Sequence, residues 1–266
     1  MHPILTIAVK AARRAGSIIV RSSREIDRLT IHAKGQSDYA SEIDRLAEES
    51  IIDVLYSAYP QHGFIAEEGS AAEINPDAEH QWIIDPLDGT TNFLHGLPQY
   101  CVSIAMATQK RVMHAVVFDP VRNDLFTASR GSGAFLNDRR IRVSKQTRLR
   151  DALIGTGFPF RENTPIDAYL EMMRALFKST AGLRRPGAAA LDLAYVAAGY
   201  YDAFFELDLH IWDVAAGSLL VQEAGGLIND FHGEENFLFG GEVLAANPKI
   251  FAQLMNLLAP CLQGKE

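Results

Sequence analysis

The stretch from Trp82 to Asn92, WIIDPLDGTTN, limits what this chain can be more than any other. An apolar run drives straight into two aspartates, a proline, a glycine and two threonines. Carboxylates and hydroxyls stacked on the tip of a core strand need partners there. Pro86 predicts that the strand stops at that point, because proline has no N–H to give to a ladder. Gly89 permits a close backbone approach or an unusual dihedral. A helical turn starting between Gly89 and Thr91 would aim its free N–H groups at whatever sits beside Asp85 and Asp88. Carboxylates on one side and bare amides on the other suit a cation bound to a phosphate. Hard oxygen donors favour Mg2+ or Ca2+ over Zn2+.

Two other readings stay open on these residues alone. Asp85 and Asp88 can cap backbone N–H groups in an Asx-turn that ends the strand. A haloacid-dehalogenase-type phosphatase carries D-x-D-G-T, but the spacing here is D-x-x-D-G-T, and its acids do not alternate along a strand as that pair does. Two further acidic points matter. Glu67 and Glu68 in AEEGS read alone as a solvated loop pair, yet beside Asp85 they supply a ligand or a carboxylate that orients water. Asp213, between Trp212 and an apolar helix, reads alone as an N-cap. Three acids at the ends of three segments match the way metal sites are assembled.

The chain has 266 residues, enough for one large domain or two half-sized lobes. The charged stretch SKQTRLRD, residues 144–151, would divide lobes 1–145 and 146–266, but it does not read as a flexible linker, and a single catalytic domain over 1–266 is expected. A net charge of −8 repels nucleic acid phosphate at long range, so no strong direct nucleic acid binding is expected. An anionic substrate is still allowed where a bound cation reverses the local field. Near the N-terminus Ile4, Ile7, Ala8, Ala11, Ala15, Ile18 and Ile19 recur at helical spacing, but Lys10, Arg13 and Arg14 interrupt any signal-peptide core. No run approaches the ~18 apolar residues of a membrane span. Cys101 and Cys261 read as reduced thiols of a cytoplasmic protein.

Helices and strands mix throughout. A second helix is expected after Ser41 with Ile43, Leu46, Ala47, Ile51, Val54 and Leu55 on its buried face. Residues 101–143 are strand-rich. Beyond them ALIGTGF and YDAFFEL read as strands, and Pro165–Ser179, AAALDLAYVAAG and WDVAAGSLLVQEAGG as helices, the last with glycines at its C-terminal end.

WIIDPLDGTTNF is similar to the first signature of the inositol monophosphatase family, and WDVAAGSLLVQEAGG to its second. Glu67 and Glu68 fall at the expected distance upstream. GAAALDLAYVAAGYYDAFFE also resembles the family, in particular one bacterial type of member, so the likeness spans nearly the whole chain. One departure is Gly69, where the family commonly has serine. The resemblance implies an α+β fold, a layered α/β/α/β/α sandwich of the inositol monophosphatase and fructose bisphosphatase type. It also implies a Mg2+-dependent, lithium-sensitive phosphomonoesterase that works as a homodimer, with two or three Mg2+ per active site. Residue by residue, Glu67, Asp85 and the Leu87 carbonyl match the first metal site, and Asp85, Asp88 and Asp213 the second. Gly89 and Thr90 match the phosphate-binding amides. Thr90 and Asp44 match the pair that orients the attacking water, which Glu67 also holds. Gly187, Ala188, Ala189 and Glu206 match substrate contacts, with Asp213 at their border. Lys34 could lie near the phosphate, although a lone loop lysine is usually solvated.

That chemistry is coherent on its own terms, because phosphate ester hydrolysis is mostly positioning and charge stabilisation. The substrate implied is a small phosphate ester, inositol monophosphate first and similar sugar-alcohol phosphates with it. A bisphosphate substrate would need a second basic pocket, for which there is no clear cluster. A different reading is regulatory: bacterial members of the type this chain resembles are implicated in transcription and ribosomal RNA processing complexes, which makes transcription-complex proteins candidate partners.

Overall fold

The protein is seen in a computed structural model that describes residues 2–24, 32–34, 38–40, 42–158 and 165–262. The first helix, α1 (Pro3–Ser22), starts where its pattern predicts. His2 caps it, its ring nitrogen accepting from the Ile4 N–H at 3.3 Å, and Pro3 opens the first turn. Its stripe buries Leu5, Ala8, Ala11, Ala12, Ala15 and Ile19. A short antiparallel pair follows, β1 (His32–Lys34) and β2 (Asp38–Ala40). Ser41 lies outside the described residues, and α2 (Glu42–Ala58) runs on from it. Leu46, expected on the buried face of α2, is instead exposed, whereas Glu48 is buried. The helical period explains the exchange: the buried stripe is centred near Ile51, which puts Glu48 inside it and Leu46 beyond its edge.

Seven strands come next: β3 (Gly63–Ala66), β4 (His80–Asp88), β5 (Cys101–Thr108), β6 (Arg111–Asp119), β7 (Asp124–Ser129), β8 (Gly133–Leu136) and β9 (Arg139–Arg140), with the short helix α3 (Thr90–Leu94) after β4. They pair in chain order, parallel at β3–β4 and antiparallel elsewhere. Side chains alternate between two apolar layers. Trp82, Ile84, Ile104, Val116 and Phe118 face α1 and α2, while Ile83, Ala105, Ala115 and Val117 face the other way.

The rest of the chain gives β10 (Leu153–Thr156), α4 (Ile166–Ser179), β11 (Gly182–Arg184), α5 (Ala189–Ala197), β12 (Ala203–Glu206), α6 (Ile211–Glu223), β13 (Leu227–Asn229), α7 (Phe237–Gly240), β14 (Val243–Ala246) and α8 (Pro248–Leu262). The five strands form a second sheet in the order β11-β10-β12-β14-β13. Helices α5 and α6 lie between the sheets, and α4 and α8 cover the far face of the second. The layers are therefore α1/α2, seven strands, α5/α6, five strands, α4/α8: the α/β/α/β/α sandwich expected. The middle helices are rich in small residues and approach closely. A Cβ at Gly217 of α6 would collide with Leu193 of α5. No helix among the described residues is long and apolar enough to cross a membrane.

Candidate active site

The expected stop at Pro86 does not occur: β4 continues to Asp88. Its neighbour β3 ends opposite Ile84, so from Asp85 onward the strand is an edge on that side, where a missing N–H is tolerated. On the other side the register slips. Asp85 pairs with Ser103 and Asp88 with Cys101, three residues against two. This bulge has a chemical consequence. On a regular strand, residues three apart point to opposite faces; one extra residue restores the parity. Leu87 packs with the α1/α2 layer, and Asp85 and Asp88 both turn towards the helices between the sheets.

Four carboxylates gather there. Glu67 follows β3, its N–H donating to the Ile84 carbonyl at 3.2 Å, and its side chain hydrogen-bonds Asp85. Asp85 also accepts from the Leu87 N–H at 3.0 Å. Asp88 accepts from the Ala190 N–H at 2.7 Å and from the Cys101 thiol at 3.7 Å. Asp213 is not the N-cap that its sequence context suggests: His210 caps α6, and Asp213, in the first turn, accepts from the His210 N–H at 2.8 Å. Asp44, buried on α2, is within electrostatic reach of Glu67.

Burial first, and then neighbouring charges, shifts Glu67, Asp85 and Asp88 towards their neutral forms. Burial, and then the charge of Asp213, raises Glu67 to about 8. Burial and Asp213 raise Asp88 to about 7. Asp85 is pushed well up by burial and by Glu67. Among the described residues no three His, Cys, Asp or Glu side chains converge as a closed ligand set. The arrangement is an open acidic corner rather than a finished cage. Its donors are all oxygen, its carboxylates lie close enough to raise one another's pKa, and it fits a hard divalent cation that would draw them together.

Opposite the acids, Gly89 caps α3 at φ 97°, a left-handed conformation open to glycine. A Cβ there would also press on the Gln99 carbonyl at 2.9 Å. The first-turn N–H groups of α3 follow from it. The Thr90 hydroxyl donates to the Leu87 carbonyl at 3.0 Å. Gly187 and Ala188 lead into α5, and Ala189 opens it. Asn92, which ends the WIIDPLDGTTN stretch with no role expected of it there, joins the two parts: its amide donates to the Gln99 and Pro186 carbonyls at 2.7 and 2.8 Å. Glu206 ends β12 and lies over Gly157, where a Cβ would overlap its carboxylate. Asp192 sits buried between them, within electrostatic reach of both Asp88 and Glu206. Its helical context, LDLAY, carries no sign of a site. Lys34 ends β1, and its side chain lies outside the described residues. Gly69, the departure from the serine expected, takes φ 74°, which a serine would adopt only with strain. A cavity of about 540 Å3 under the first turn of α1, lined by His2, His114 and Phe135 among others, includes none of these acids.

Layers in this order, with an acidic corner at the end of β4 facing a glycine turn, are the architecture of the inositol monophosphatase family, and the chain belongs to it: the family pattern matches residues 1–263. The chain is 54% identical over 265 residues to the Nus factor SuhB of Pseudomonas aeruginosa, with 98% of each covered. The solved extragenic suppressor protein SuhB from Bartonella henselae superposes with a TM-score of 0.93 at 45% identity, over 97% of this chain and 98% of that one. Inositol monophosphatase from Anabaena superposes at 0.85 with 36% identity, over 96% and 95%.

Proposed function

We propose that this protein is a Mg2+-dependent phosphomonoesterase whose substrates are inositol monophosphate and related sugar-alcohol phosphates. One observation carries the reading: Glu67, Asp85, Asp88 and Asp213, from three separate segments, meet beside the Gly89–Thr90 turn. Glu67, Asp85 and the Leu87 carbonyl would hold one Mg2+, and Asp85, Asp88 and Asp213 another. Bound there, the metal supplies Lewis acidity to the attacking water and to the leaving oxygen. The chain supplies the rest. Gly89 and Thr90 donate backbone N–H groups to the phosphate oxygens. Glu67 and the Thr90 hydroxyl orient water in line with phosphorus, and Asp44 would fix the Thr90 rotamer by taking the hydroxyl hydrogen bond that the Leu87 carbonyl accepts here. The Gly187–Ala189 backbone and Glu206 receive the sugar hydroxyls. The whole chain acts as one catalytic domain and pairs as a homodimer, which sedimentation of the purified protein checks. A phosphate-release screen over phosphomonoesters tests the activity. Turnover should require Mg2+, stop in chelator, and be inhibited by excess Ca2+, whose longer bonds misplace the water. Millimolar Li+ should inhibit as well. Undiminished turnover in chelator would sink the metal mechanism.

A second reading rests on the relatives' names. The Pseudomonas aeruginosa protein is a Nus factor, which supports a role for this chain in transcription complexes. The two readings separate with Asp88→Asn, which should abolish hydrolysis. Binding to a purified transcription complex that survives the substitution is independent of the chemistry; binding lost with it ties the two roles to one site.

A further inference from the structure

Glu48 is a carboxylate with no exposed surface, and among the described residues no cation pairs with it. Its two described partners are backbone amides: one oxygen accepts from the Glu68 N–H at 2.9 Å and the other from the Ser70 N–H at 2.8 Å. Burying a carboxylate on such terms is costly, and apolar residues would fill the gap between α2 and the loop at less cost. What an apolar residue could not do is fix two N–H groups at set positions. Those groups bracket the loop that carries Glu67, whose own N–H is pinned from the other side by the Ile84 carbonyl at 3.2 Å. Between the two anchors Gly69 turns with φ 74°. Asp44 lies one helical turn before Glu48 on the same buried side of α2.

From this bracket we infer that Glu48 is a positioning residue: it holds the 67–70 loop so that Glu67 meets Asp85, and through it a single helix sets the two acids, Asp44 and Glu67, on which the attacking water depends. The inference rests on the phosphatase reading for the water, but not for the loop. The test uses the full chain and three variants: Glu48→Gln, which keeps the volume and one acceptor oxygen; Glu48→Ala; and Glu49→Gln, on an exposed residue of the same helix. Hydrogen exchange at the Glu68 and Ser70 amides reads the bracket, and calorimetric titration with Mg2+ alone reads the site without turnover. Glu48→Gln should speed exchange at the amide left facing the new NH2 group and weaken Mg2+ binding by about tenfold, the scale of outer-shell partners. It should lower kcat by a similar factor with KM unchanged. Glu48→Ala should do more and Glu49→Gln nothing. If Glu48→Ala fails to fold, Glu48→Gln decides. Wild-type exchange at the two amides in Glu48→Gln, or Mg2+ affinity equal to wild type, overturns the inference. Should the wild-type chain hydrolyse no phosphomonoester while Glu48→Gln still frees that amide and weakens Mg2+ binding, the positioning role stands and the phosphatase reading falls. A wild-type chain that hydrolyses, beside a Glu48→Gln variant with unchanged kcat and Mg2+ affinity, keeps the phosphatase reading and overturns the positioning role.

Discussion

The carboxylate of Asp88 accepts the backbone N–H of Ala190 at 2.7 Å, across 102 residues of sequence. The bond joins the end of β4 to the first turn of α5, immediately after Gly187, Ala188 and Ala189. One side chain thus borders the acidic corner and also fixes the segment expected to hold substrate.

Asp88→Asn separates these two tasks. The asparagine carbonyl oxygen can still accept from Ala190, so the fold should be kept, while the charge of a proposed metal ligand is lost. Hydrolysis should fall by more than about 100-fold, beyond the usual cost of an outer-shell partner. In chelator the variant should unfold at the same temperature as wild type or higher, because one of the two buried acids of a crowded cluster has lost its charge. Thermal unfolding beside a phosphate-release assay checks both; a large loss of stability would show that Asp88 serves chiefly the fold.

Thr90→Ala should lower kcat far more than it raises KM, since in the proposed mechanism the hydroxyl orients water rather than substrate. Asp44→Asn should act the same way more mildly, by about 10–100-fold. Steady-state kinetics on inositol monophosphate decide, and wild-type turnover in both variants would assign the water to other groups.

Glu206→Gln should lower kcat/KM for inositol monophosphate by about 1–3 kcal/mol of transition-state stabilisation, the cost of one poorly paired polar contact. Glycerol phosphate, which lacks the ring hydroxyls, should suffer less. Equal losses on the two substrates would remove Glu206 from the substrate site.

His114 gives a pH dependence of stability. Its ring is stacked on His2 at 4.3 Å and hydrogen-bonded to Ser129 at 2.8 Å; burial, and then His2, lowers it to about 4 from 6.5. The folded protein therefore refuses a proton that the unfolded chain accepts. The stability from this group is complete above 6.5 and is lost progressively as pH falls towards about 4. His114→Gln keeps a hydrogen-bonding group and does not titrate, so its melting temperature should fall less than that of wild type over the same range. Parallel melting curves would speak against burial of the neutral ring.

Much of the acidic corner was legible because it lies in contiguous letters: DPLDGTTN, AEEGS and HIWD each end an apolar run in acids. The five layers were legible only through family resemblance, and the proposal of Gly187, Ala188, Ala189 and Glu206 as substrate contacts rests on it too, since small residues and a lone glutamate carry no period of their own. Pro86 misled because the sequence does not state where β3 stops, and only that length makes the rest of β4 an edge. Glu48 was invisible for a related reason. In RLAEES it looks like one more solvated helix charge, and its burial is decided by a loop twenty residues away. Helix α8 and the strands β11, β13 and β14 were missed because they are short, or made of residues that fit any buried element.

The contact of Gly217 with Leu193 bears on how such a chain can diverge. A middle layer of alanines and glycines, wedged between two sheets, has no room for a larger side chain at its points of closest approach, and overpacking there is strongly disfavoured. Drift by enlargement is closed along α5 and α6. The outer faces of α1, α4 and α8 meet no such wall. New surface character, and with it new associations, can accumulate there over generations without disturbing the acids beneath.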